Sequence, residues 1–251
     1  MSPELDFAIQ TARLAGETAL RYFKSGIGFD RKSDDSPVTV ADREVEEFIR
    51  QRIKERFPDD GVVGEEYGTE ASASDRIWVI DPIDGTKSFV YRVPLFGVLI
   101  GLQVFDKPVL GVADFPGVQE TYWAQIGEGA FRNGAPIRVS EQVLSNGLLV
   151  SGSFQSMERH GRLDGFAKLA QSAYVSRTWG DAYGHCMVAD GRAVAMVDPV
   201  VNLWDTCALY PIVKEAGGWF TNFRGEDGHT HGEAVSTCPA VFEEVIAAYR
   251  E

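Results

Sequence analysis

Leu5, Ala8, Ile9, Ala12, Ala15, Ala19, Tyr22 and Phe23 recur at three- and four-residue spacing. That spacing places them on one face and predicts a helix over residues 4–24. A polar stretch, SGIGFDRKSDDSP, follows at 25–37. Thr39-Val-Ala-Asp42 then has the Thr-x-x-acid spacing of a capped helix start. Val45, Phe48, Ile49, Ile53 and Phe57 continue that helix at its own period, and Pro58 and Gly61 end it.

From Val62 the period shortens. Apolar runs alternate with turns through VVGEEYG, RIWVID, FGVLIGLQVF, KPVLGVADFP, ETYWAQIGEGAF and PIRVS. These predict strands, with a hairpin-like turn at Asp106-Lys-Pro108. Past Ser140 the strands GLLVSG, YVSRTW, AVAMVD and GWFTNF alternate with helices expected at 157–171, 181–190, 204–216 and 239–250. Two helices, a meander, then mixed elements argue an α+β layered fold rather than alternating βαβ units. The expected division is an N-terminal half, 1–140, and a C-terminal half, 141–251. No internal repeat or low-complexity linker interrupts it.

The chain has 251 residues, 44% of them hydrophobic, which is ample for a large core. Its formal net charge of -13 argues against nucleic acid as a partner. A phosphorylated small molecule would need a metal cation to bind such a surface. Cys186, Cys207 and Cys238 are odd in number and widely spaced, as free thiols in a reducing cytoplasm would be. No signal peptide and no membrane-length apolar run is visible, so a cytoplasmic protein is expected.

The chemistry concentrates in WVIDPIDGT, residues 78–86. Asp81 is expected to end a buried strand, because Pro82 has no N–H for the ladder. Asp81 and Asp84 then face one space beyond the strand end. Two carboxylates so close repel unless a cation lies between them. Gly85 and Thr86 open TKSFV; if it is helical, its free N–H groups suit an anion. Hard oxygen donors beside a phosphate site favour Mg²⁺. Glu65 follows a short strand, and Asp205 heads a helix behind Trp204. Taken singly, Asp205 reads as an N-cap, Glu65 as a solvated turn residue, and Asp81/Asp84 as a strand-end turn.

Together these pieces resemble the inositol monophosphatase family of metal-dependent, lithium-sensitive phosphatases. The matching segments are VTVADREVE (38–46), VVGEEYG (62–68), WVIDPIDGTKSFV (78–90), GEGAFRNGAPIRVS (127–140) and WDTCALYPIVKEAGG (204–218). The resemblance implies a layered α/β/α/β/α sandwich and frequent dimerisation, hence a homodimer. It implies two or three Mg²⁺ ions held by Glu65, Asp81, the Ile83 carbonyl, Asp84 and Asp205, with Asp81 bridging. Gly85 and Thr86 would offer N–H groups to phosphate. Asp42 would pair with Thr86 and, with Glu65, prepare a metal-activated water for in-line attack without a phosphoenzyme. Asp42 also suits a plain first-turn helix carboxylate.

The substrate is expected to be read by the second half. The inositol enzymes usually have a small or hydroxyl residue where this chain has Asp181. GDAYG (180–184) and the tail of IDGTKSFVYRVPLFGVLI resemble the histidinol-phosphate branch, with Arg92 standing where a glycine is more usual. Gly180, Asp181 and Ala182 would lie against substrate, and Asp198, seven residues before Asp205, would face it. Histidinol phosphate carries an ammonium and an imidazole, and carboxylates near that cation would make charge-assisted hydrogen bonds. Asp181 as a helix cap and Asp198 as a strand end are the bland alternatives. His185 reads as a packed helix residue, His229 and His231 as loop residues, Trp179 and Trp204 as core seals, and Lys32 as solvated.

The leading expectation is therefore an Mg²⁺-dependent histidinol-phosphate phosphatase. The alternative is the same chemistry on inositol 1-phosphate or a related polyol or sugar phosphate. A non-catalytic module that binds metal and phosphate is disfavoured, because Glu65, Asp81, Asp84, Thr86 and Asp205 are all kept.

Overall fold

The first helix, α1 (Pro3–Ser25), starts where Ser2 caps it and stops where Gly26 turns left-handed at φ 80°. The computed structural model describes residues 1–26, 30–31, 37–70 and 74–250; Lys32 lies outside them. A short pair, β1 (Asp30–Arg31) and β2 (Pro37–Val38), precedes α2 (Val40–Arg56). Thr39 and Asp42 close a reciprocal capping box at the α2 N-terminus, as the Thr-x-x-acid spacing predicts.

A sheet follows, built from β3 (Gly61–Gly64), β4 (Gly68–Glu70), β5 (Arg76–Asp84), β6 (Gly97–Val104), β7 (Lys107–Phe115), β8 (Glu120–Gln125), β9 (Gly129–Arg132) and β10 (Ala135–Pro136). The short helix α3 (Thr86–Val90) leaves the end of β5. From β5 to β10 the strands run as an antiparallel meander in chain order; β3 joins β5 in parallel, and β4 forms the far edge. The hairpin between β6 and β7 turns on Phe105 and Asp106, at φ 50° and 59°. Two successive left-handed residues match the strand twist. Lys107 and Pro108 already belong to β7, so the turn lies one residue earlier than Asp106-Lys-Pro108.

The second sheet has the order β12-β11-β13-β15-β14. Its strands are β11 (Leu148–Ser151), β12 (Val175–Arg177), β13 (Ala195–Asp198), β14 (Trp219–Thr221) and β15 (Ala234–Thr237). Between them lie α4 (Phe154–Arg159), α5 (Leu163–Ser172), α6 (Asp181–Ala189), α7 (Leu203–Thr206) and α8 (Leu209–Glu215), and α9 (Phe242–Ala247) closes the chain.

Among the described residues, three apolar clusters define five layers. α1 and α2 pack on one face of the large sheet around Ile49, Trp78 and Phe96. The opposite face of that sheet meets α6 and α8 around Leu99, Cys186 and Ile212, and these helices also touch the second sheet through Met196 and Phe220. α5 and α9 cover the outer face of the second sheet through Leu169, Val245 and Ile246. The result is the α/β/α/β/α sandwich.

Four further expectations change. The strand through Asp81 does not end there: β5 runs on through Pro82 to Asp84, and its register with β6 slips between those aspartates. A bulge absorbs the missing proline N–H and swings the chain. The expected helix 157–171 is two helices, α4 and α5, broken where Gly161 takes φ 67°. The expected helix 204–216 is α7 and α8, because Pro211 cannot donate to the Cys207 carbonyl. Of PIRVS only Pro136 pairs as a strand; Val139 N–H instead donates to the Ala216 carbonyl at 3.0 Å.

Two glycines let α7 and α8 reach the large sheet. A Cβ on Gly111 would sit 2.0 Å from the Ala208 carbonyl oxygen, and one on Gly101 2.6 Å from Cys207 Sγ. That close approach brings Asp205, two residues before Cys207, to the end of β5.

Candidate metal and phosphate site

The bulge at Pro82 turns both aspartates of DPID toward one cleft. Asp81 Oδ1 accepts the Ile83 N–H at 3.0 Å, which fixes the turn. Gly85 follows with φ 73° and caps α3. A Cβ there would lie 3.0 Å from the Leu95 carbonyl and 3.3 Å from Asp181 Oδ2, so space and φ together demand glycine. The cleft, about 400 Å³, lies where the end of β5 and the start of α3 meet the starts of α6 and α7. Its walls include Glu65, Asp81, Ile83, Asp84, Gly85 and Thr86 from the first half. From the second half come Gly180, Asp181, Ala182, Asp198 and Asp205.

Asp81, Asp84 and Asp205 each bring one carboxylate oxygen within 4.8 Å of the others. Burial, and then repulsion from Glu65, Asp84 and Asp205, pushes Asp81 well above the carboxylate range. Asp84 is raised by burial and by Asp181 and Asp205. Asp205 is pushed up to about 6, chiefly by burial, against the opposing pull of the Asn202 N–H. That N–H donates to Asp205 Oδ2 at 2.6 Å. Asp205 is thus the third residue of α7 in a capping box with Asn202, not the cap itself. Crowded, desolvated carboxylates are the arrangement a divalent cation neutralises, and an all-oxygen donor set suits a hard one. The residues fit a metal.

The second-half residues close the cleft from the other side. The Ala182 N–H, at the start of α6, donates to Asp84 Oδ2 at 2.9 Å. Asp181 itself takes φ 56°; it is exposed at the cleft mouth and makes no side-chain cap. Desolvation by the surrounding protein raises its carboxyl, and Lys87 opposes that shift. Asp198 is 9% exposed. Burial and then Asp181 and Asp205 raise it well above its usual value, again against Lys87.

Asp42 sits apart from the cleft walls. It is buried, and its Oδ2 accepts from the Thr39 N–H at 2.7 Å and the Thr39 hydroxyl at 2.6 Å. Its Oδ1 has no hydrogen-bond partner among the described residues. Burial pushes its carboxyl up to about 7, with Glu66 and Glu65 adding repulsion. The hydrogen bond expected between Asp42 and Thr86 is not made. The Thr86 hydroxyl donates to the Ile83 carbonyl at 3.1 Å instead.

Lys87, Ser153, Ser156, Thr178 and Asn202 also line the cleft. They lacked a sequence signal, since single polar residues at loop and helix ends are common. His185 lines it too, 1% exposed, with Nδ1 2.6 Å from Ser236 Oγ and its pKa lowered to about 3 by burial. Trp204 is a wall residue rather than a core seal, and Trp179 is 43% exposed. His229 packs on Tyr210, with ring centroids 5.7 Å apart, and is 9% exposed rather than solvated. Arg92 has φ 64°, the region that favours glycine; its guanidinium donates to the Phe23 carbonyl.

The fold and the cleft define a five-layer α+β protein with a carboxylate-lined cleft. Residues 1–251 match the inositol monophosphatase family, and the chain belongs to that family. It is 43% identical over 255 residues to a histidinol-phosphatase of Chlorobaculum parvum, covering 99% of this chain and 97% of that protein. It is 38% identical to a histidinol-phosphatase of Mycobacterium tuberculosis, covering 97% and 96%. The solved IMPase of Thermotoga maritima superposes with a TM-score of 0.91 at 31% identity, covering 99% of this chain and 97% of that one.

Proposed function

We propose that the protein hydrolyses histidinol phosphate to histidinol and inorganic phosphate. The observation that carries this reading is the joining of an acidic cation cluster, Asp81/Asp84/Asp205, to a second pair of carboxylates, Asp181 and Asp198, in one cleft. The full-length likeness to histidinol-phosphatases supports it.

Glu65, Asp81, the Ile83 carbonyl, Asp84 and Asp205 would hold two or three Mg²⁺ ions, with Asp81 between them. When bound, such cations lower the pKa of water and offset charge on the leaving oxygen. The protein groups then divide the remaining work. Backbone N–H groups of Gly85 and Thr86 receive the phosphate at the start of α3. Glu65 accepts the proton of the attacking water, and Thr86, held on the Ile83 carbonyl, orients it. Asp42 supports the same corner from α2. Gly180, Asp181 and Ala182 line the substrate, and Asp181 with Asp198 accepts hydrogen bonds from its cationic end. The first half thus supplies most metal ligands, and the second supplies specificity and Asp205.

A homodimer in the cytoplasm completes the reading; the three free, buried thiols suit a reducing compartment. No helix among the described residues is long and apolar enough to cross a membrane.

The test is phosphate release from histidinol phosphate and from myo-inositol 1-phosphate, side by side, with Mg²⁺ and with EDTA. Preferred turnover of histidinol phosphate, abolished by EDTA, is expected. Preference for the inositol ester would keep the metal site and reject the role of Asp181 and Asp198.

A further inference from the structure

We propose that Glu46 is a positioning residue for the metal site: its carboxylate fastens the Glu65–Tyr67 turn, so that Glu65 faces the acidic cluster. The proposal rests on reading Glu65 as a metal ligand.

Glu46 lies on α2, one turn beyond Asp42, and its side chain is 0% exposed. Its Oε2 accepts the Glu66 N–H at 2.7 Å, and its Oε1 accepts the Tyr67 N–H at 3.2 Å. Oε1 also lies 2.7 Å from Arg50 Nε. The same guanidinium donates to the Gly68 carbonyl. One helix therefore holds the last two turn residues, Glu66 and Tyr67, by their N–H groups and the first residue of β4, Gly68, by its C=O.

A buried carboxylate is costly unless it is paired and hydrogen-bonded, and this one is both. A three-residue hairpin loop needs no such anchor, because its own ladder closes it. Here the closing pair is Gly64 with Gly68, and all three residues of the outer strand β4 are exposed. The buried carboxylate instead specifies where the turn sits relative to α2. Gly64 is cut to the same purpose. A Cβ on it would lie 2.1 Å from Glu46 Oε1 and 2.4 Å from its carboxyl carbon. The residue so held next to Gly64 is Glu65, which lines the cleft and repels both Asp81 and Asp205.

The test is calorimetric titration of Mn²⁺ into the metal-free full chain, as wild type, Glu46→Gln, Gly64→Ala and Glu65→Gln. It is run at a temperature where melting curves show every variant folded. Glu46→Gln keeps one acceptor and aims an amide at the turn's N–H groups, and Gly64→Ala displaces the intact carboxylate. Each is expected to weaken Mn²⁺ binding by about 10- to 100-fold, as loss of an outer partner of a metal ligand does. Glu65→Gln is expected to weaken it at least as much. A merely structural Glu46 would lower the melting temperature and leave Mn²⁺ affinity unchanged below it. Unchanged affinity in both Glu46→Gln and Gly64→Ala, with a weakened Glu65→Gln, overturns the proposal alone. Unchanged affinity in Glu65→Gln overturns the ligand reading and the proposal with it. Where Glu46→Gln does not fold, Gly64→Ala decides.

Discussion

Asp84 carries opposed demands. Without a cation its charge is disfavoured by burial and by Asp181 and Asp205; in the proposed function it would serve as a metal ligand. Asp84→Asn keeps an oxygen for the Ala182 N–H and removes the charge. Its phosphatase activity is expected to fall by about 100-fold or more, while the metal-free melting temperature rises. Steady-state kinetics and a melt in EDTA read the two effects separately. Asp181 is more exposed, and its charge is worth less. Asp181→Asn is expected to raise KM for histidinol phosphate by about tenfold and to leave the phosphate ester of an uncharged alcohol unaffected. Equal KM changes on both esters would remove Asp181 from recognition. The Asp81/Asp84 pair stood out because DPIDGT combines carboxylates, proline and glycine in six positions. The Asp42–Thr86 bond is not made, because the Thr86 hydroxyl turns to the Ile83 carbonyl, while Asp42 gives only Oδ2 to Thr39.

At the scale of elements, local signals and tertiary effects separate cleanly. α2 starts where Thr39 and Asp42 say it should, since a capping box is local chemistry. Thr39→Ala is expected to cost about 1 kcal/mol in urea unfolding, the cap being 3% exposed. A loss well below that would mean the Asp42 carboxylate sustains the helix start alone. β15 escaped the pattern because Ala-Val-Ser-Thr shows no alternation, yet all four residues are buried between two strands. The helix breaks at Gly161 and before Pro211 follow from one backbone feature each, and an apolar period alone passes over both.

The whole molecule joins the acidic cleft to a formal charge of -13, and its pH response follows from that. In the metal-free fold, carboxyls are raised above their unfolded value of about 3.9, to about 6 at Asp205 and about 7 at Asp42. The folded state then holds protons that the unfolded chain has released. Stability from these groups is highest at the acid end of that window and is lost as pH rises from about 4 toward 7. The metal-free melting temperature is therefore expected to be higher at pH 5.5 than at pH 8. Added Mg²⁺ is expected to raise it at pH 8 more than at pH 5.5, since the cation binds the ionised form. Calorimetric scans at both pH values, with and without Mg²⁺, check the sign. A metal-free protein equally stable at both would mean the carboxylates are not crowded in solution.

The chain's own order of residues determined the helix faces, the caps, the meander and the carboxylate-rich turn. Each depends on neighbours a few positions apart. The cleft needed long-range packing. Asp205 reaches Asp81 only because Gly101 and Gly111 let α7 and α8 lie against the large sheet. Asp84 meets α6 through one N–H ninety-eight residues away, and Glu46 reaches the Glu65 turn across twenty. Such distances are set by how layers stack, and local pattern carries no term for them.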